Sequence, residues 1–405
     1  MSIESLRINN CRILTHLEIN PDPGFNLIVG DNGAGKSTLL EAIYLIGTGR
    51  SFRTPLVSSV VTKGKTTLII SAEIKSLING VISVGMERGK GCNRLHINRV
   101  PTQRLSAVAE QLPLQIITPD SINLVIGSPK GRRSFLDWGM FHVEQKFLAV
   151  SKKYRDSLRQ RNALLKRKDS SDIEISYWNS IIAESGEQLS NYRENYFREV
   201  IELYQSNISE KLPIPKEFDL SFSYRRGWKE GESLISAIEK SYAREKVLGY
   251  TVVGPHEADL SIKVNGVLAK TILSRGEAKL LSVSLLLSQL SHLFETTGKM
   301  GVVLLDDIFS ELDPINRERV LEYLIECKYQ VFATTTESET VPLKDKKFKM
   351  FHVKHTSPVL NLELEKLLRF IGKNRGSGIL IKDMHPAAFA LILSNLDSPL
   401  IIISP

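Results

Sequence analysis

Three short segments carry residue types at spacings that do chemistry together. Gly30-Asp31-Asn32-Gly33-Ala34-Gly35-Lys36-Ser37-Thr38 follows the pattern G-x-x-x-x-G-K-S, between the apolar run Phe25-Asn26-Leu27-Ile28-Val29 and a helical pattern. Glycines at those places let successive backbone N–H groups curl around a phosphate, and a helix N-terminus adds the positive end of its dipole. Lys36 is then placed to neutralise β- and γ-phosphate charge, and the Ser37 hydroxyl to ligate Mg²⁺. Val302-Val303-Leu304-Leu305-Asp306-Asp307 reads as a buried parallel strand whose C-terminal end carries two carboxylates. Asp306 suits the Mg²⁺-linked position, and Asp307 the residue that orients or deprotonates attacking water. The expected cofactors are ATP and Mg²⁺, with Lys36, Asp306 and Asp307 as the catalytic set.

The third segment is Leu273-Ser274-Arg275-Gly276-Glu277, ahead of an apolar helical pattern. Ser274, Arg275 and the Gly276 N–H make a second anion-binding helix start. It has no task in the site of its own subunit, so it implies a second copy of the chain. Asp313, in Ser310-Glu311-Leu312-Asp313-Pro314, is a further candidate to face that copy. Alone, the third segment and this loop would each pass for a plain helix cap.

The elements that must position these residues are legible in outline. Strand patterns appear at 5–9, 14–19, 25–29, 67–74 and 81–86, and a helix begins at Gly35 or Lys36 and closes at Gly47 and Gly49. Between 105 and 243 the texture turns helical. Phe147, Val150, Tyr154, Leu158 and Leu165, then Trp178, Ile182, Leu189, Tyr192, Tyr196, Val200 and Leu203, recur at helical spacing either side of Asp169-Ser170-Ser171-Asp172. That pattern predicts an antiparallel helical hairpin. Strands return at 260–264, 302–305 and 330–334, with a helix over 279–293. The fold class is α/β: a nucleotide-binding head at 1–104 and 244–371, a helical lobe inserted at 105–243, and an appendage at 372–405.

The whole chain sets bounds on this reading. Its 405 residues carry 53 basic against 45 acidic side chains, a net +8 that favours an anionic partner such as nucleic acid. Three isolated cysteines argue for a reducing compartment and against a disulfide framework or zinc site. No apolar run reaches the length of a membrane span, so a cytoplasmic protein without membrane partners is expected. Basic residues cluster at Lys130, Arg132 and Arg133, at Lys152, Lys153 and Arg155, and at Arg159, Arg161, Lys166, Arg167 and Lys168. As a group they suit phosphate tracking without base readout. A solvated helix face would show the same charges.

The order of phosphate loop, Ser-Arg-Gly segment, aspartate pair and following loop resembles the ATPase heads of the ABC class. Gly49-Arg50-Ser51-Phe52-Arg53, Gly127-Ser128-Pro129-Lys130-Gly131-Arg132-Arg133-Ser134-Phe135-Leu136-Asp137-Trp138, Gln160-Arg161-Asn162 and Gly254-Pro255-His256 narrow the resemblance to the bacterial RecF family of recombination mediators, over roughly 1–370. The resemblance implies an ABC-type head with a smaller helical lobe, ATP-dependent homodimerisation, and a weak ATPase stimulated by DNA. It also implies duplex binding near single-strand gaps, a nucleoid location, and cooperation with RecR and RecO in loading recombinase. Glu277 stands where that family usually has glutamine, Glu257 where a basic residue is common, and Asp307 where many ATPase heads have glutamate. The shorter Asp307 favours slow hydrolysis. The segment beyond about Lys373 resembles nothing in the family.

Overall fold

The run Phe25-Asn26-Leu27-Ile28-Val29 has no polar alternation, as a strand covered on both faces requires, and every one of its residues is buried. In the computed structural model, which describes residues 1–76, 80–167, 171–215, 217–310, 312–336, 341, 347–353 and 401–403, this strand lies inside a parallel six-stranded sheet. With strands numbered along the chain, its members are β3 (Phe25–Val29), β8 (Leu114–Ile117), β12 (Val302–Leu305), β13 (Gln330–Thr335), β14 (Phe348–Val353) and β15 (Ile401–Ile403). Their order is β15-β14-β3-β13-β12-β8. Helix α1 (Lys36–Thr48) leaves β3 through the glycine-rich turn and buries Leu39, Leu40, Ile43 and Ile46.

A second sheet is antiparallel, in the order β2 (Leu14–Ile19), β1 (Ser2–Cys11), β4 (Thr67–Ser76), β5 (Gly80–Gly89), β6 (Cys92–Ile97), β7 (Val100–Pro101). Alternation sets its register. Ile8 faces Ile70, Ile70 faces Met86 and Ile74 faces Ile82, so the apolar pairs share one face with the core. The buried Gln330 side chain joins the two sheets: its Oε1 accepts from the Ile3 N–H at 2.7 Å and its Nε2 donates to the Ile3 carbonyl at 2.9 Å.

These sheets form one compact unit from the described residues of 1–118, 301–310 and 321–353 with 401–403; a second comprises those of 119–300 and 312–320. The second is mostly helical: α2 (Pro129–Val143), α3 (Phe147–Leu165), α4 (Asp172–Leu203), α5 (Leu234–Leu248) and α6 (Arg275–Thr297). Helices α3 and α4 pair as the expected hairpin. The 32 residues of α4 span about 48 Å. Its start is fixed by a capping box, with Ser171 Oγ accepting the Glu174 N–H at 3.2 Å and the Glu174 carboxylate accepting the Ser171 N–H at 3.3 Å. Where α2 passes α4, a Cβ at Gly139 would fall 1.7 Å from the Tyr196 hydroxyl, so only glycine fits.

The observed division differs from the expected one at 104/105 and 243/244. The short strand β8 belongs to the parallel sheet, so the first unit extends to Thr118. In the second, β10 (Asp259–Val264) pairs with β9 (Leu220–Arg225), and α6 packs on α2 and α4, which retains 244–300 there. Of the expected appendage at 372–405, only 401–403 lie among the described residues, as edge strand β15 beside β14.

Candidate nucleotide site

The phosphate loop is shaped by positions only glycine tolerates. Gly33 and Gly35 adopt φ of 81° and 111°, left-handed values that a side chain would strain. Gly30 serves a close approach instead, since a Cβ there would fall 2.2 Å from the Val353 carbonyl oxygen. The loop returns on itself through an Ala34 N–H to Asp31 carbonyl bond of 3.1 Å, and Gly35 then caps α1. The buried Lys36 ammonium donates to the Gly30 carbonyl at 2.7 Å and the Asp31 carbonyl at 3.1 Å, and so lies across the loop's mouth. Thr38 is buried one residue beyond Ser37.

The second half of the site comes from β12, held between β8 and β13 with Leu305 opposite Ile117 and Ala333. An Asp306 N–H to Ile117 carbonyl bond of 2.9 Å extends the ladder one residue past the strand. Asp306 Oδ1 accepts the Ser37 hydroxyl at 2.8 Å, closing a loop between residues 269 positions apart. Two hard oxygen donors therefore meet where Mg²⁺ would sit, and phosphate oxygens and water would complete its shell. Among the described residues no cluster of three His, Cys, Asp or Glu could hold a metal by itself. Asp307 turns sharply away with φ of 55°. Burial raises its pKa above the ordinary carboxylate value; Lys36 opposes that rise and Asp306 adds to it.

In the helical unit, Ser274 is the N-cap of α6. Its Oγ accepts the Glu277 N–H at 3.3 Å while the Glu277 carboxylate accepts the Ser274 N–H at 2.7 Å. The departure at Glu277 is thus half of a capping box, a signal present in Ser274-Arg275-Gly276-Glu277. It also starts the helix at Arg275, earlier than the expected 279. Arg275 and Gly276 form the exposed first turn. Asp313 accepts the Asn316 N–H at 3.0 Å and the Asn316 amide at 2.6 Å; the backbone bond above all holds its pKa below the ordinary value.

Two of the candidate DNA contacts are corrected by burial. Arg132 donates through Nε to Asp259 Oδ1 at 2.6 Å and through Nη2 to Oδ2 at 3.1 Å, inside the lobe. Arg161 is fully buried and is bound to Asn179 at 2.6 Å, Thr251 at 2.7 Å and Glu245 at 2.6 Å. Neither reaches a phosphate. Arg133 is half-buried and donates to the Ala258 carbonyl at 2.8 Å. Lys130, Lys152, Lys153 and Arg159 are exposed, the last two paired with Glu184 and Asp156. Tyr154 and Tyr196 are core residues, and the Tyr154 hydroxyl is hydrogen-bonded to His256 Nδ1 at 2.6 Å.

Sequence reasoning missed two contributors to this first unit. Glu41, fully buried on α1, bonds Arg12 and Ser51 and thereby anchors the loop after α1. Thr334, at the C-terminal end of β13, donates to Asp306 Oδ1 at 3.0 Å and accepts the Asp307 N–H at 3.0 Å. The available signal was a polar residue ending a buried strand beside the aspartates.

A parallel sheet that joins a phosphate loop to a paired-aspartate strand, with an antiparallel sheet in the same unit and a capped Ser-Arg-Gly helix in the other, defines an ATPase head of the ABC and SMC class. The family model described as RecF/RecN/SMC N terminal domain matches residues 2–358. The DNA replication and repair protein RecF of Aliivibrio fischeri is 38% identical over 357 residues, covering 88% of this chain and 98% of that protein. Its namesake in Vibrio cholerae is 38% identical over 363 residues, with the same coverage. A solved structure of the recombination mediator RecF with ATP, from the RecFOR pathway, superposes with a TM-score of 0.77 at 25% identity, over 87% of this chain and 95% of that one. An Smc head bound to a ScpA winged-helix domain shares the fold alone, at a TM-score of 0.53 and 14% identity. The chain belongs to the RecF family.

Proposed function

We propose that this chain is an ATP-dependent DNA-binding protein of recombinational repair and replication-fork maintenance, whose two copies close on ATP and part after its slow hydrolysis. The observation that carries the ATP part is the 2.8 Å bond between Ser37 and Asp306, which gathers the metal-linked oxygens of two distant segments beside the phosphate loop. The N–H groups of 30–37 and the start of α1 bind the phosphates. Lys36 exchanges its loop carbonyls for β- and γ-phosphate oxygens. Ser37 and Asp306 would hold Mg²⁺, which when bound would supply charge neutralisation at the phosphates. Asp307 orients the water that attacks the γ-phosphorus and takes its proton, giving ADP and phosphate.

The helix start at Ser274, Arg275 and Gly276, with Asp313, meets the nucleotide of the second copy. The head is assigned to the unit built on the two sheets, and DNA contact to the helical unit. There Lys152, Arg155, Arg159 and Lys166 stand exposed at steps of three, four and seven, a stripe about 21 Å long that suits a phosphate backbone. Duplex near single-strand gaps, RecR and RecO partners and DNA-stimulated turnover are parts of the same proposal, which membership of the RecF family supports. Among the described residues no helix is long and apolar enough to cross a membrane.

Asp307→Asn tests the cycle. The variant is expected to bind ATP and dimerise but to dissociate from duplex at least tenfold more slowly than wild type. Unchanged dissociation with turnover abolished would make hydrolysis incidental and leave ATP as a dimer glue.

A further inference from the structure

We propose that Thr334 is a positioning residue for hydrolysis, its hydroxyl fixing Asp306 and Asp307 relative to each other. This rests on the reading of Asp307 as the residue that handles water.

The chain past β12 has to do two different things within two residues. Asp306 continues the strand ladder and faces Ser37, whereas Asp307 takes a left-handed φ of 55°, which residues other than glycine seldom adopt. A conformation of that kind persists only where its surroundings impose it. Thr334 is what faces both residues. It is 1% exposed, on the strand paired with β12, one position beyond the Leu305–Ala333 pairing. Its oxygen accepts the Asp307 N–H at 3.0 Å, which holds the left-handed turn. Its one proton goes to Asp306 Oδ1 at 3.0 Å, the Leu305 carbonyl being more distant at 3.4 Å. The same Asp306 oxygen receives the Ser37 hydroxyl.

A single hydroxyl therefore acts as acceptor for one aspartate and donor to the other, a combination that needs serine or threonine. Threonine, β-branched, also suits a buried strand. Thr334 touches neither reacting atom in this arrangement. It acts through the aspartates, and a misplacement of Asp307 by a fraction of an ångström is what its loss would produce.

Steady-state ATP hydrolysis and equilibrium ATP binding, measured on the full chain, test this. Thr334→Val, which keeps shape and removes both bonds, is expected to lower kcat at least tenfold with KM and the ATP Kd within twofold. Thr334→Ser should restore kcat to within threefold of wild type. In single-turnover experiments on an Asp307→Asn background, Thr334→Val should add no further loss. Should the valine variant lose its thermal unfolding transition, Thr334→Ala carries the same comparison. A kcat within twofold of wild type in the valine or alanine variant overturns the proposal, and so does an equal fractional loss with and without Asp307. A wild-type chain that hydrolyses no ATP would instead overturn the hydrolytic reading beneath it.

Discussion

At the scale of single residues, ion pairs divide into those that hold the fold and those left for a partner. Arg132, Arg225 and Asp259 form a cluster in which Asp259 is bound from two sides, at 2.6 Å and 3.1 Å. Burial pushes the Asp259 pKa up, but Arg132 and then Arg225 outweigh it and leave it below the ordinary 3.8. A depressed carboxylate contributes stability that is present above the unfolded value and is lost as pH falls through the folded one. The thermal midpoint of the chain should therefore fall more steeply with acidification below about pH 4 than that of Asp259→Asn, read by calorimetry. Arg132→Ala removes the two-pronged partner of the buried Asp259, leaving it the exposed Arg225, and should cost about 3 kcal/mol of stability, seen as a lowered midpoint of the same scan. Arg161 teaches the complementary lesson. It lies seven residues after Tyr154, on the apolar face of its own helix, so helical spacing already pointed it inward. The run of basic letters concealed that, because charge composition does not say which helix face meets Glu245.

Among elements, those legible in the sequence are the ones whose pattern is local. The strand-loop-helix of residues 25–48, the 302–305 strand and the paired helices α3 and α4 each announce themselves by glycine spacing or periodicity. The strand β8, four residues long, was submerged in a helical neighbourhood, and its place beside β12 depends on a pairing across 188 positions, from Leu114 to Val302. Strand β14 alternates weakly and is recognisable only through its partner β3. The start of α6 was legible but needs the capping box to be read in place of the apolar run. The exposed stripe of α3 carries a prediction of its own. Removing Lys152, Arg155 and Arg159 together, each to Gln, should weaken duplex binding and flatten the slope of log K against log salt by about 0.9 for every phosphate left without its cation. Fluorescence anisotropy across a salt series reads both. An unchanged slope would move the DNA-binding face elsewhere.

For the whole molecule, the proposed function counts two copies, so that the phosphate loop and aspartates of one would meet the Ser274 helix start of the other. In that reading each copy would supply what the other's nucleotide needs, and joining them would double a net charge of +8 that favours DNA. ATP would then report whether two heads are joined, and Asp307 would set how long they stay so. The most direct test is molar mass by analytical ultracentrifugation with and without ATP and Mg²⁺, for wild type and Ser274→Arg, with ATP binding measured alongside. Wild type should double its mass on ATP, while Ser274→Arg should bind ATP and remain a monomer. A variant that binds ATP and dimerises as wild type does would contradict the shared site.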